Sequence, residues 1–311
     1  MIDVIHEMCF LFLVVFFLYP FFIIAIIMSK RSKMKTLLLL TSLAFTIVVN
    51  AKHRKLSLES AAKLNLLKFK IKGTGEHQGK CLNLQLHSAC PDSLWLTLEA
   101  GSRLDSKNES EQDILVTQDQ IFVLGSFQSV NTKISGYCCQ ATNHSPAMNT
   151  DFTIGKPTDN KLVSLARYLS YHHEDESTTQ SAVWCVSNGK PLASIPKIHN
   201  DLRAFVSSIT GEPLPWYEVE YNTSSNNVAA SQQAKKVFGY VDYKTENDGE
   251  LKIELRDSKG RLMMNISNQK AVAKGDHDFW FEMQVSNYPK GKYYLHFLSD
   301  DGVVTKKEFQ I

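Results

Sequence analysis

The 311-residue chain lacks the short motifs by which many enzymes are recognised. It has no serine-centred nucleophile elbow, no glycine-rich phosphate loop and no helix that pairs histidines for a metal. Cys-x-x-Cys pairs, which zinc sites commonly use, are also absent. The remaining candidate for a nucleophile and a base is Cys185 with His172 or His173, but a cysteine on an apolar helix face is typically buried or bridged. The sequence predicts no enzyme, no cofactor and no metal site.

The sequence also lacks clusters of metal-ligating residues and a strong excess of either charge. His77, His87 and His144 stand singly. His172 and His173 lie beside three acids, but adjacent residues of a helix or strand point in different directions, so a solvated charged loop is the simpler interpretation. The 34 basic and 32 acidic side chains give a formal net charge of +2. This balance does not indicate nucleic acid as a partner, because such binding needs basic residues clustered on one face.

Long apolar runs occur near the N-terminus. The run from Cys9 to Met28 is long enough to cross a bilayer. A second start follows at Met34, with an apolar stretch and a small residue before a basic tetrapeptide, which is the order of a secretory signal peptide. We expect residues 1–33 to be an over-extended start and residues 34–51 a signal peptide. The alternative is that both apolar segments are retained and anchor the chain in a membrane. No other part of the chain is expected to contact a membrane. The predicted location is periplasmic, cell-surface or extracellular.

Cysteine usage agrees with export. Beyond the leader, the chain has five cysteines at positions 81, 90, 138, 139 and 185. In an oxidising compartment cysteines pair, and an odd number leaves one thiol over. Cys81 and Cys90 are close enough in sequence to close a hairpin-sized loop, and Cys185 could pair with Cys138 or Cys139.

Apolar periodicity divides the rest of the chain. Alternation typical of strands predicts a β-sandwich over 52–156. Helical spacing predicts a helical segment over 157–211, packed on the first domain. Its second helix would begin at Ser177 or Thr178 and end at Asn188-Gly189, and Ile198 would start the apolar face of its third. Residues 212–235 read as a linker, and short strands with tight turns predict an immunoglobulin-like sandwich over 236–311. The predicted fold is therefore mainly β, with two sandwich domains and a helical insert.

The stretch Thr179-Gln180-Ser181-Ala182-Val183-Trp184 resembles the Thr-Gln-x-Ala-Ile-Trp signature of thioester domains in Gram-positive surface adhesins. In that family the glutamine and an earlier cysteine form an internal thioester that captures host amines covalently. The resemblance implies Gln180 as the acyl half, and Cys138 or Cys139 as the thiol half. A structural alternative is that the helix packs on the sandwich, with Gln180 hydrogen-bonded to the segment that holds these cysteines.

The C-terminal region resembles the sorting domains of the type IX secretion system of Bacteroidetes, as well as other bacterial immunoglobulin-like modules. The features are Gly249 to Arg261, then Pro289-Lys290-Gly291-Lys292-Tyr293-Tyr294-Leu295, and the terminal Lys306 to Ile311. The resemblance implies secretion machinery as a partner. The alternative is that this region is a plain structural sandwich.

These patterns predict an exported, non-catalytic, adhesin-like binding protein with an unidentified protein or glycan ligand. The expected ligand surface is formed by the first sandwich and the helical segment. The alternatives are a structural component of an envelope assembly and a covalent adhesin with a thioester.

Overall fold

The computed structural model describes residues 54–156, 159–222 and 233–311. The predicted start and signal peptide, residues 1–33 and 34–51, lie outside these ranges. Within them, no helix is long and apolar enough to span a membrane. Residues Lys55–Ile311 form one unit, which is mainly β and contains several sheets.

A closed barrel takes the place of the first predicted sandwich. Its six strands pair in the order β2-β3-β8-β6-β5-β9, and β9 pairs with β2 to close the circle. Strands β1, β4 and β7 form a separate three-stranded sheet. The elements are β1 (Arg54–Ser57), α1 (Leu58–Lys63), β2 (Leu67–Gly73), β3 (Gln78–Ser88), β4 (Leu94–Leu98), β5 (Arg103–Ser106), β6 (Ile114–Leu115), β7 (Gln120–Leu124), β8 (Ser129–Cys138) and β9 (Asp151–Ile154).

The prediction of a sandwich over 52–156 was wrong because alternation identifies strands but not how a sheet closes. The alternating leucines do point inward as predicted, with Leu82, Leu84 and Leu86 buried in the core that the barrel shares with the separate sheet. The closed order arises because β8 pairs with β3 through most of its length and with β6 at its end, while β9 pairs with both β5 and β2. A register shift between Gly79 and Leu82 marks an irregularity in β3, of the kind that bends a strand.

Gly136 lies where β8 passes from β3 to β6, and the fold requires a glycine there. A Cβ added at this position would overlap Ile114 Cγ2 and lie 2.9 Å from the Leu115 carbonyl oxygen. We expect Gly136→Ala to lower the free energy of unfolding by about 1–3 kcal/mol, measured by urea denaturation. The control is Gly249→Ala, where an added Cβ meets no atom within 4 Å. Equal losses in the two variants would contradict the close-approach explanation.

Three helices follow the barrel: α2 (Asn160–Tyr171), α3 (Glu176–Asn188) and α4 (Asn200–Thr210). The cap of α3 is Asp175, whose carboxylate accepts from the Thr178 N–H, in place of the predicted Ser177 or Thr178. Gly189 ends the helix in the left-handed region at φ 64°, as predicted. Ile198 does not belong to the third helix, because it lies in a 3₁₀ turn and its side chain is 88% exposed. The helices share an apolar cluster with Leu115 and Cys139 of the barrel end.

The C-terminal unit consists of two sheets that share one core. Their orders are β10-β11-β14 and β13-β12-β15-β16. The strands are β10 (Glu218–Tyr221), β11 (Ala234–Thr245), β12 (Gly249–Asp257), β13 (Leu262–Val272), β14 (Gly275–Gln284), β15 (Lys292–Ser299) and β16 (Gly302–Gln310).

The described parts of segment 212–235, which was predicted to be a linker, contribute strands to this unit. Within it, β10 pairs antiparallel with β11, and Tyr217 and Val219 are buried in the shared core. Trp216 Nε1 donates to the Glu308 carbonyl at 2.7 Å, and the Gln310 N–H donates to the Tyr217 hydroxyl at 2.8 Å. The linker prediction followed the Asn- and Ser-rich composition and overlooked the apolar residues on either side of it.

Candidate functional site

The Gln180 side chain hydrogen-bonds the last residue of strand β8. It lies in α3 with 2% of its side chain exposed. The Cys138 N–H donates to Gln180 Oε1 at 3.0 Å, and Gln180 Nε2 donates to the Cys138 carbonyl at 2.8 Å. The side-chain amide therefore satisfies both main-chain groups of Cys138, as a neighbouring strand would.

A second glutamine makes the same contact three residues earlier on β8. The Ser135 N–H donates to Gln120 Oε1 at 3.0 Å, and Gln120 Nε2 donates to the Ser135 carbonyl at 2.8 Å. Gln120 lies outside the thioester-like motif and is only partly buried. Pairing of a glutamine amide with the main chain of β8 is thus a structural device that this barrel uses twice.

Other residues of the motif also contact the cysteine segment. Trp184, one helical turn after Gln180, packs in the barrel core, and the Thr179 side chain hydrogen-bonds Tyr137. The structure therefore places Gln180 next to Cys138, one of the two cysteines that the resemblance paired with it. The contact is made with the main chain of Cys138 and not with its thiol. Cys139 lies elsewhere, in the helical cluster.

The two candidate thiols are not activated. Burial raises the pKa of Cys138 well above its usual value, and burial also raises the pKa of Cys139 to about 12. The thiolate is the nucleophilic form of cysteine. Both side chains are therefore protonated and weakly nucleophilic at neutral pH.

The five cysteines in the part of the chain that the structure describes have free thiols, which corrects the expected disulfides. Cys81 lies on β3, and that strand continues to Ser88, so about 23 Å of extended chain separates Cys81 from the strand end that precedes Cys90. A disulfide needs Cα atoms closer than about 7 Å. Cys185 contacts Pro191 and Ser194 instead of Cys138 or Cys139.

The buried thiols make stability sensitive to alkaline pH. Burial raises the pKa of Cys81 from 9.0 to about 12. A raised folded-state pKa contributes stability that is present below the unfolded-state value and is lost as the pH rises. Between about pH 9 and pH 11, we expect the wild type to lose about 1.4 kcal/mol per pH unit more than Cys81→Ala, in urea denaturation at each pH. Parallel pH profiles would contradict this prediction.

The structure does not assemble the nucleophile and base considered above. Cys185 Sγ lies 3.4 Å from Ser194 Oγ. The His172 ring stacks on Tyr168 with centroids 4.1 Å apart, and His173 Nδ1 lies 3.2 Å from Gln118 Nε2. Within the described ranges, no three His, Cys, Asp or Glu side chains are placed so that they could hold one metal ion.

An exposed group of aromatic side chains lies on the outer surface of sheet β10-β11-β14. We call Phe238, Tyr240 and Trp280 the outer aromatic face. Tyr240 is 52% exposed and Trp280 is 45% exposed. The two residues are directly opposite in the β11–β14 register, with ring centroids 4.8 Å apart. The Phe238 ring lies 5.9 Å from that of Trp280.

This face was not predicted from the sequence, which indicated a ligand surface on the first domain and the helical segment. The signal was nevertheless present. Phe238 and Tyr240 alternate with Val237 and Val241, and the valines are buried in the core. Aromatic residues at alternate positions to core residues must therefore point outward.

A pair of like charges adjoins the outer aromatic face. Asp242 and Asp278 lie directly opposite each other in the register, one outward position beyond Tyr240 and Trp280. Both are exposed, and neither has an ion-pair partner within 4.0 Å in the described part of the chain. Like charges directly opposite each other in a sheet are destabilising. The stability of the fold therefore does not explain why two aspartates stand opposite each other at this position.

Comparison with protein-family models and with curated proteins gives no match. Among solved structures, an immunoglobulin-like protein from Pseudomonas aeruginosa is 17% identical with a TM-score of 0.19, covering 30% of this chain and 89% of that chain. Red sea bream transglutaminase is 9% identical with a TM-score of 0.20, covering 81% of this chain and 32% of the enzyme. A β-glucosidase from Kluyveromyces marxianus is 10% identical with a TM-score of 0.20, covering 74% and 44%. The chain spans less than half the length of either enzyme.

Proposed function

We propose that the chain is an exported, adhesin-like binding protein that acts without catalysis and holds its ligand on the outer aromatic face. The Tyr240–Trp280 pair carries this proposal, because two large rings stand exposed side by side. Aromatic side chains are rich in contact area and are enriched in the centres of interfaces. Export enters the proposal from the signal-peptide pattern at 34–51.

The C-terminal unit is part of the proposed mature protein. Arg203 of α4 donates through Nη2 to the carbonyls of Pro215 (3.0 Å) and Tyr217 (3.1 Å). These bonds join the helical segment to the chain that enters the unit. The resemblance implies that the C-terminal unit is a sorting domain. In this proposal the unit stays attached to the helical segment after export.

The test is retention of the labelled, purified protein on immobilised cellulose, chitin, mucin, collagen and basic protein. We expect retention on at least one surface, and a loss of about tenfold or more in the double variant Tyr240→Ala/Trp280→Ala. Trp95→Ala, which removes a 37% exposed tryptophan from strand β4 of the separate three-stranded sheet, is the control and should bind normally. No retention on any surface, or equal retention by the double variant, would contradict the proposal.

A covalent adhesin is the second candidate, favoured by the contact between Gln180 and Cys138. In that reaction the Cys138 thiol attacks Gln180 Cδ, the Sγ–Cδ bond forms, the Cδ–Nε2 bond breaks and ammonia leaves. The buried thiols and the equivalent contact of Gln120 support a structural role instead. Incubation with a biotinylated alkylamine distinguishes the two, since the covalent adhesin would carry the label on Gln180, and Cys138→Ala would not.

A further inference from the structure

We propose that the outer aromatic face binds a cationic polypeptide segment, with an arginine or lysine side chain seated on Tyr240 and Trp280 and reaching Asp242 and Asp278. This inference rests on the proposed function and adds the chemical class of the partner. Two observations support it. The aromatic pair and the acidic pair are neighbours on strands β11 and β14, and the two aspartates have no ion-pair partner in the described part of the chain.

The aromatic pair and the acidic pair are close enough to contact one side chain. Tyr240 pairs with Trp280, and two residues further along the same surface Asp242 pairs with Asp278. Alternate residues of a strand are separated by about 7 Å. A guanidinium stacked on a ring at this site can therefore reach a carboxylate, and both contacts favour a cation.

Cations of the protein do not satisfy the acidic pair. Lys244 Nζ lies 3.5 Å from a Glu246 carboxylate oxygen. Lys236 Nζ lies 3.6 Å from Glu220 and 3.8 Å from Glu282. The two lysines nearest along β11 are thus already paired with other carboxylates.

The surroundings extend the same charge. A cavity of ≈ 970 Å³ at this end of the unit borders the acidic pair. Ten of its lining residues are Asp, Glu, Lys or His, and they include Asp242, Asp278 and Lys244. Eight of these ten are acids, so a basic segment running from the aromatic face toward the cavity meets complementary charge along its path.

Other occupants fit this surface less well. A second copy of the chain would bring acidic pairs against acidic pairs, which opposes self-association. The Tyr240 and Trp280 rings are inclined at 58° to each other and do not form the flat platform on which a sugar chain would stack. Anionic polymers would be repelled by the acids.

The experiment measures binding of a fluorescent oligo-arginine peptide to the full chain by anisotropy, with an oligo-glutamate peptide of equal length for comparison. We expect binding of oligo-arginine only, weakened as salt rises from about 0.05 M to about 0.5 M. The isosteric double variant Asp242→Asn/Asp278→Asn should bind about tenfold more weakly, as should Tyr240→Ala/Trp280→Ala. Glu99→Gln/Glu109→Gln removes two exposed charges from the barrel part and is the matched control, with unchanged binding expected.

The outcomes separate this inference from the proposed function. Oligo-arginine binding that is equal in wild type and the asparagine variant would overturn the inference. Retention on a neutral polysaccharide that needs the aromatic residues but not the aspartates would also overturn it, while the proposed function would stand. A dimer in sedimentation that dissociates in Tyr240→Ala/Trp280→Ala would overturn it in favour of a second copy. If neither surfaces nor peptide bind, both proposals fail.

Discussion

Replacing Gln180 with alanine is expected to lower the free energy of unfolding by about 2–5 kcal/mol, measured by urea denaturation. The variant leaves the N–H and the carbonyl of Cys138 without their partners in a site that water does not reach. Each unsatisfied buried group costs about 1–3 kcal/mol. The loss of packing against the barrel adds to this cost.

Gln120→Ala is the matched control, because Gln120 makes the same two bonds to Ser135 on the same strand. Both Gln120 and Ser135 are partly exposed, so water can replace the lost amide. We expect a loss of about 0.5–1.5 kcal/mol. A loss in Gln180→Ala no greater than in Gln120→Ala would show that burial of the contact does not matter, and would contradict the structural role.

Replacing Trp216 with alanine should lower the free energy of unfolding by about 2–4 kcal/mol, measured by urea denaturation. The indole packs near Phe281 and Phe309, with ring centroids 6.1 and 6.5 Å away. Its N–H also donates to the Glu308 carbonyl of β16 at 2.7 Å. The side chain thus attaches the segment after α4 to the last strand of the chain.

Trp280→Ala is the control for Trp216→Ala, since Trp280 is 45% exposed on the outer aromatic face. Its loss should cost less than about 1 kcal/mol. Equal costs for the two tryptophans would mean that residues 212–217 behave as a free linker. The same control shows that the binding variants of Trp280 remain folded.

Local patterns in the sequence predicted the strands and helices well where one face is buried. The alternation of Leu82, Leu84 and Leu86 follows from a strand with one side in the core, and this holds for a barrel and a sandwich alike. Closure of the barrel depends on which strands pair with β8 and β9. That choice is set by contacts distant in sequence, such as Ile114 against Gly136, and periodicity carries no information about it.

The candidate site was predictable only in part. The resemblance around Gln180 predicted Cys138 or Cys139 as its partner, and the structural alternative predicted hydrogen bonds from Gln180 to the segment that holds these cysteines. The structure contains such bonds, to the main chain of Cys138, and places the Cys138 thiol in the barrel core. Pairing of Cys81 with Cys90 failed because closeness in sequence is not closeness in space along an extended strand. The acidic pair Asp242–Asp278 needed the register of β11 and β14, which sequence alone did not fix.

The intact mass of the protein, alkylated under denaturing conditions without a reductant, tests most directly the proposal that it acts as a binding protein without covalent chemistry. We expect the full mass of the chain that remains after removal of the predicted signal peptide, with every side-chain amide present and alkyl groups on Cys81, Cys90, Cys138, Cys139 and Cys185. A mass one ammonia short, with one alkyl group fewer, would contradict it. If that deficit disappeared in Cys138→Ala, the protein would be a covalent adhesin.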